Sequence, residues 1–166
     1  MMLIPSQRHS ALGRSHNLME NDLARTHETV LLHETVDGLE IKADDVVVDA
    51  TLGGAGHFRK ALKKLGPQGV LVGIDADVDA LERAQKVVDE IPAGARPTVR
   101  LINGYFRDLG ALLDAEGLTP TKVMFDLGWS AFHLTSGRGF SFKVDEPLLM
   151  TYGDPSESTT AGDLVN

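Results

Sequence analysis

Short apolar runs alternate along the chain with longer segments in which apolar residues recur every three or four positions. Four of the runs are typical of buried strands, at 45–50, 69–75, 98–104 and 122–128. The segments between them predict amphipathic helices over 56–66, 77–91 and 105–118. A short helix is expected before the first strand, over 28–41, and another at 159–166.

Continuous apolar strands that alternate with helices predict a parallel sheet covered on both faces. Right-handed crossovers then give an open, doubly wound α/β fold of the Rossmann-like kind. The length of 166 residues fits one domain, which we place at 27–166. Residues 1–26 mix charged and polar types without an apolar core, so we predict a flexible N-terminal extension rather than a secretory signal.

Composition indicates the cellular compartment of the protein and the kinds of partner that it can bind. No apolar run approaches the ~20 residues needed to cross a bilayer, so we predict no membrane contact. The absence of cysteine excludes disulfides and thiolate metal ligands and favours a cytoplasmic protein, and we predict no metal site. The net charge is −8, and the densest basic stretch, 59–64, fits the solvated face of a helix. We therefore expect any contact with nucleic acid to involve a small part of the surface, or to be made by parts that this chain lacks.

A glycine-rich loop follows the first strand, with the sequence DATLGGAGH at 49–57. Gly53, Gly54 and Gly56 let a ligand approach the backbone, and the helix that starts there favours a negative group. The spacing differs from the dinucleotide pattern G-x-G-x-x-G and lacks the Lys-Ser/Thr of a P-loop. The alternative is a purely structural turn between strand and helix.

Acidic residues stand at the ends of two further strands. Asp75 lies 22 residues after Gly53, where an acid can accept both ribose hydroxyls of an adenosine group. Asp77 is assigned to the N-cap of the next helix, although either acid could serve as the cap. Asp126 ends the fourth strand, ahead of glycine and hydroxyl residues, and is suited to meet a polar substrate.

Two aromatic residues near these strand ends allow more than one interpretation. Phe106 could lie against an adenine ring or simply in the core. Trp129, the only tryptophan, could stack on a flipped base or anchor its loop, and we favour the anchor. The roughly 30 residues after Gly128 carry no clear strand or helix, which is typical of functional loops or disordered segments.

Several motifs, taken together and in order, resemble the RsmH/MraW family of bacterial ribosomal RNA methyltransferases. The motifs are HETVLLHE, DATLGGAGH, GIDAD, FDLG, RGFSF, PLLM and TAGDLVN, spread over 27–166. That family uses S-adenosylmethionine to methylate N4 of a cytosine in 16S rRNA of the small ribosomal subunit. The resemblance implies a Rossmann-like methyltransferase domain with this cofactor and this partner.

The resemblance also assigns site residues by motif. The cofactor residues would be Ala55, Gly56, His57, Asp75, Phe106, Asp126 and His133. Asp75 would hold the ribose and Phe106 would lie near the adenine. Methyl transfer to an amine needs in-line positioning and a proton acceptor more than a protein nucleophile. Asp126 is therefore also the candidate catalytic residue, which would orient the cytosine amino group or accept its proton.

Several positions depart from the pattern of the family. Ala55 stands in place of a glycine, a change that a negative φ would accommodate, and His133 stands in place of a glutamine. Leu149 and Thr151 replace an acid and an arginine. The family also continues for roughly as many residues again, so the resemblance implies a truncated domain that lacks the C-terminal strands and an inserted helical domain. The strand at 122–128 would then expose an apolar edge, and we expect a homodimer, a partner that supplies the missing half, or marginal stability.

Two other functions stay open. A catalytically inactive remnant that binds S-adenosylmethionine or a partner is suggested by the altered residues and the shorter chain. A nicotinamide-dependent enzyme is disfavoured by the glycine spacing. The sequence favours the methyltransferase.

Overall fold

A computed structural model describes residues 29–166. The strands are β1 Val46–Asp49, β2 Val70–Asp75, β3 Thr98–Asn103 and β4 Lys122–Met124. The helices are α1 Leu32–Gly38, α2 Gly56–Lys64, α3 Val78–Asp89, α4 Leu109–Ala115 and α5 Ala161–Val165. Short 3-10 turns lie at Ala93–Ala95, Phe106–Asp108, His133–Thr135 and Pro155–Glu157. The predicted N-terminal extension and the first residue of the first predicted helix lie outside the described residues.

The four strands form one parallel sheet in the order β3-β2-β1-β4. The predicted parallel α/β sheet is therefore confirmed. The connection from β3 to β4 passes back across β2 and β1, so the strand order reverses between β1 and β4. In open α/β sheets this reversal point, at the carboxyl ends of the strands, is where ligands bind.

Alternation along the strands divides the core between the two faces of the sheet. Val47 and Val48 are both fully buried, on opposite sides. Val47 packs in a cluster with residues of α2 and α3, including Leu62 and Ala84. Val48 packs in a second cluster with Leu113 of α4. Helices therefore cover both faces, as the continuous apolar strands predict.

The predicted boundaries agree with the structure in most elements. Asp77 is the N-cap of α3, because its carboxylate accepts the N–H of Asp79 at 3.4 Å. The last strand is shorter than predicted and ends at Met124. Beyond it the N–H of Asp126 donates to the Thr51 hydroxyl at 2.7 Å. The backbone there is thus bonded to a side chain of the loop after β1 and does not continue the pairing of the strands.

Residues 125–160, here called the irregular segment, contain no strand and only two 3-10 turns. The segment starts at the edge strand β4, where Phe125 is 46% and Leu127 is 67% exposed. A partner or a second copy at this edge stays a prediction. No helix within residues 29–166 has the length and apolar content needed to span a membrane.

Candidate functional site

The loops at the carboxyl ends of the strands enclose a cavity of about 530 Å³. Six of the seven predicted cofactor residues line it: Gly56, His57, Asp75, Phe106, Asp126 and His133. Ala55 is not among the lining residues, because its methyl group is buried in the core beneath the loop. The volume is in the range of sites that bind small molecules and cofactors.

The glycine-rich loop is left-handed at two positions. Gly53 has a φ of 48° and Ala55 a φ of 61°, so Ala55 lacks the negative φ that would accommodate an alanine in place of a glycine. The turn imposes this conformation: the Ala55 N–H donates to the Leu52 carbonyl at 2.6 Å, and the Ala55 carbonyl accepts the Arg59 N–H at 2.9 Å. A left-handed alanine costs about 1–2 kcal/mol. Burial of its methyl group, 1% exposed, offsets part of that cost.

Gly56 is a glycine because another segment lies directly against it. A Cβ at this position would come within 1.9 Å of the Thr29 Oγ1 and 2.9 Å of the Thr29 Cβ. Thr29 and Val30 both line the cavity, so the segment before α1 forms one of its walls. Sequence reasoning missed this wall, although the HETVLLHE motif lies there.

Asp75 joins the end of β2 to the glycine-rich loop. One of its carboxylate oxygens accepts the Gly53 N–H and the other accepts the Asp77 N–H, both at 2.9 Å. Each carboxylate oxygen can accept a further hydrogen bond, so the side chain can still bind hydroxyl groups in the cavity. The predicted cap at Asp77 is confirmed, and Asp75 lines the cavity, where its assignment to the ribose stays a prediction.

Three polar side chains meet between β1 and β4. The His57 Nδ1 lies 3.7 Å from the Asp126 Oδ2, and the Asp126 side chain is 56% exposed. The His57 Nε2 is buried and has no hydrogen-bond partner among residues 29–166. Asp49, at the end of β1, is 2% exposed and accepts the Thr51 N–H at 3.2 Å. A second cavity of about 160 Å³ adjoins all three side chains.

Burial raises the pKa of Asp49 to about 7. The carboxyl groups of Asp75 and Asp126 shift it in the same direction, whereas the hydrogen bond from Thr51 opposes the shift. Sequence reasoning did not select Asp49. The available signal was an acid at the end of the fully apolar run VVV, where an ionised group is costly.

His133 is buried beside two aromatic rings of the irregular segment. Its ring centroid lies 5.2 Å from that of Phe140 and 4.9 Å from that of Tyr152. The Ser130 N–H donates to the His133 Nδ1 at 3.0 Å, so the neutral ring carries its proton on Nε2. Burial lowers the pKa of His133, although Asp77 and Asp75 oppose the shift. The imidazole is therefore neutral at pH 7 and acts as a packed, hydrogen-bonded part of the cavity wall.

The buried carboxylate of Asp77 holds the irregular segment against the sheet. Arg138 donates to it at 3.0 Å and also donates to the Tyr152 carbonyl at 2.7 Å. Arg83 of α3 lies 3.5 Å from the same carboxylate, donates to the Gly53 carbonyl at 3.0 Å and stacks on the Phe132 ring at 4.3 Å. Sequence reasoning missed both arginines as parts of the site.

Phe106 and Trp129 are the most exposed aromatic residues of the cavity. Phe106 is 47% exposed and meets Phe125 edge-on, with ring centroids 6.1 Å apart. Trp129 is 60% exposed. The interpretation of Trp129 as a loop anchor is therefore not supported, because an anchoring indole would be buried.

The model of the MraW methylase family matches residues 24–166. The chain belongs to the MraW methylase family. Within residues 29–166, no group of three or more His, Asp or Glu side chains is arranged to hold a metal ion.

Two individual relatives are named as ribosomal RNA methyltransferases. The chain is 42% identical over 142 residues to the ribosomal RNA small subunit methyltransferase H of Desulforapulum autotrophicum, and 39% identical over 142 residues to that of Lachnospira eligens. Each match covers 84% of this chain and 44% of the relative, so the chain spans less than half the length of the relatives it matches. Among solved structures, NSun6 from Pyrococcus horikoshii with SFG is 23% identical, with a TM-score of 0.49, and the match covers 61% of this chain and 24% of that one.

The contact between Thr29 and Gly56 predicts that Gly56→Ala is destabilising. The added methyl would overlap the Thr29 side chain, and overpacking of this kind costs about 1–3 kcal/mol in the free energy of unfolding. Urea unfolding measures the loss. Gly110→Ala, at a helical position where a Cβ meets nothing within 4 Å, should instead gain about 0.5–1 kcal/mol. The double variant Gly56→Ala/Thr29→Gly should recover most of the loss, and equal stability of Gly56→Ala and the parent would contradict the proposed contact.

The raised pKa of Asp49 predicts a stability that falls as the pH rises. Between the unfolded pKa near 3.8 and the folded value of about 7, the folded chain retains a proton that the unfolded chain has lost. Between pH 5 and pH 8 the free energy of unfolding of the parent should therefore fall by about 2–3 kcal/mol. The Asp49→Asn variant lacks the titrating group and should not show this fall. Urea unfolding of both proteins at the two pH values tests this. The comparison uses only the change in the free energy of unfolding between the two pH values. Any effect of the asparagine side chain that does not depend on pH therefore cancels. Parallel pH dependence in the two proteins would refute the assignment.

Proposed function

We propose that this chain binds S-adenosylmethionine and takes part in N4-methylation of a cytosine in 16S rRNA of the small ribosomal subunit. One observation carries the proposal. The glycine-rich loop, Asp75 and Asp126 converge on a single cavity at the point where the strand order reverses. Membership of the MraW methylase family and relatives named ribosomal RNA small subunit methyltransferase H support the same chemistry.

The residues of the cavity fit an adenosyl cofactor. The Asp75 carboxylate can accept ribose hydroxyls while it holds the Gly53 N–H. The glycine-rich loop leaves the backbone open to a ligand, and the exposed ring of Phe106 offers a flat apolar surface for an adenine. The Nε2 of His57 is buried and has no hydrogen-bond partner in the described part of the chain, so a ligand in the cavity could satisfy it. Ala55 supports the loop from below rather than facing the cofactor.

On the acceptor side, Asp126 is the residue suited to handle the amino group. S-adenosylmethionine, when bound, supplies an electrophilic methyl group on a sulfonium sulfur. The nitrogen of the cytosine amino group must lose one proton as it gains the methyl group. The Asp126 side chain is half-exposed and lines the cavity, and the Asp126 backbone is held by its N–H, which donates to the Thr51 hydroxyl. We assign it to orient the amino group and accept the proton.

One alternative function is motivated by the fact that the chain matches only part of the length of its relatives. Because the chain spans 44% of the length of its relatives, the full activity of those relatives is a proposal here. A chain that binds the cofactor without transferring its methyl group would have the same cavity. The two possibilities differ in turnover and not in binding.

Two measurements on the purified chain test the function. Calorimetric titration should show binding of S-adenosylmethionine, and labelled methyl groups should enter small-subunit rRNA. Asp126→Asn should lower methyl incorporation by about 100-fold or more, with a smaller change in cofactor affinity. A relative of full length serves as the positive control for the rRNA. Binding without incorporation would favour the inactive alternative, and absence of binding would refute both.

The contacts of Asp75 predict a specific loss of cofactor affinity. Asp75→Asn replaces one carboxylate oxygen by an NH₂ donor, so a backbone N–H or a ribose hydroxyl loses its acceptor. Affinity for S-adenosylmethionine should fall by about ten-fold or more. Asp114→Asn, an exposed change on α4 away from the cavity, is the matched control and should bind as the parent does. An unchanged affinity in Asp75→Asn would remove Asp75 from the binding site.

A further inference from the structure

Trp129 is placed unusually for a large apolar side chain. It lies three residues beyond Asp126, next to Gly128 at a φ of 136°, and it lines the main cavity. Its side chain is nevertheless 60% exposed. An indole at the mouth of a cavity presents a flat aromatic surface to whatever enters.

The irregular segment does not depend on Trp129 for its position. His133 and Phe140 are buried, and Arg138 binds the Asp77 carboxylate. Ring contacts join His133, Phe140 and Tyr152, and within the described part of the chain none includes Trp129. The segment is thus held by other side chains, and the exposure of the indole has no structural explanation in this fold.

Trp129 belongs to the segment that follows β4, as Asp126 does. Asp75 ends β2, whereas Trp129 follows β4, and β1 lies between these two strands. At a spacing of about 4.8 Å between neighbouring strands, the chain leaves the sheet roughly 10 Å from β2. From there the segment crosses towards the glycine-rich loop, since the Ser130 Cβ lies 3.9 Å from the position that a Cβ on Gly53 would take. Trp129 thus stands in the chain between this crossing and Asp126, the residue assigned to the acceptor amine, and lines the same cavity.

We propose that Trp129 is the platform on which the base of the acceptor nucleotide stacks. The inference rests on the proposed function and extends it to the substrate. Unpaired RNA bases are commonly bound by stacking on aromatic side chains, and every base offers a face for this. Stacking on Trp129 would hold a pyrimidine at the cavity mouth, with its exocyclic amine directed towards the Asp126 carboxylate.

The chain contains a direct reporter of this contact, because Trp129 is its only tryptophan. The protein is first saturated with S-adenosylhomocysteine, and its tryptophan fluorescence is then followed during titration with cytidine. We expect saturable quenching by cytidine and none by ribose, which lacks a base. A second protein, Trp129→Phe/Phe142→Trp, moves the reporter to a position that is 95% exposed and outside the cavity lining, and its fluorescence should not respond.

Binding measurements on variants separate stacking from a structural role. Calorimetry on the saturated protein should show cytidine affinity reduced about ten-fold or more in Trp129→Ala and much less in Trp129→Phe. Affinity for S-adenosylhomocysteine should stay within about two-fold of the parent in both, since the segment is held by other residues.

The outcomes are distinct. No quenching by cytidine, or equal cytidine affinity in Trp129→Ala and the parent, would overturn the inference while the proposed function stands. Complete quenching by S-adenosylhomocysteine alone would assign the indole to the adenine instead, and would also overturn it. If calorimetry shows no binding of S-adenosylhomocysteine at all, the proposed function fails and this inference fails with it.

Discussion

The position of the irregular segment beside the site depends on the buried carboxylate of Asp77. It caps α3 and pairs with Arg138, which comes from a segment 61 residues further along the chain. Arg83 adds a second guanidinium 3.5 Å away and binds the glycine-rich loop through the Gly53 carbonyl. A buried carboxylate without these partners would carry a large desolvation cost, so one charge requires the helix, the loop and the irregular segment to stay together.

The two sides of the cavity are built by different means. Towards β2 the ligand surface is shaped by backbone, because the Gly53 N–H is fixed by Asp75. Towards β4 the surface consists of exposed side chains, among them Asp126 and Trp129. Backbone contacts tolerate few substitutions, whereas exposed side chains can change without loss of the fold. Substitutions are therefore expected to be tolerated more readily on the β4 side of the cavity than at the backbone contacts towards β2.

The sequence predicts the parts of this structure that depend on local patterns. The parallel strands, the N-cap at Asp77 and the convergence of Asp75 and Asp126 follow from apolar runs and from acids at strand ends. The left-handed Ala55 could not be predicted, because its conformation depends on a buried methyl group and on a turn that the sequence does not specify. Arg83 and Arg138 were missed for a related reason: their common partner is brought to them only by the fold.

Asp49 shows how burial and charge act together at the strand ends. The pKa of Asp49 is raised first by burial and then by the neighbouring carboxyl groups of Asp75 and Asp126. Asp75 and Asp126 line the main cavity, whereas Asp49 adjoins the second cavity. A ligand with a positive centre in the main cavity would therefore be attracted by the first two carboxylates, and a neutral ligand of the same shape would not. With the proposed cofactor, these two acids would favour the sulfonium reactant over its neutral thioether product.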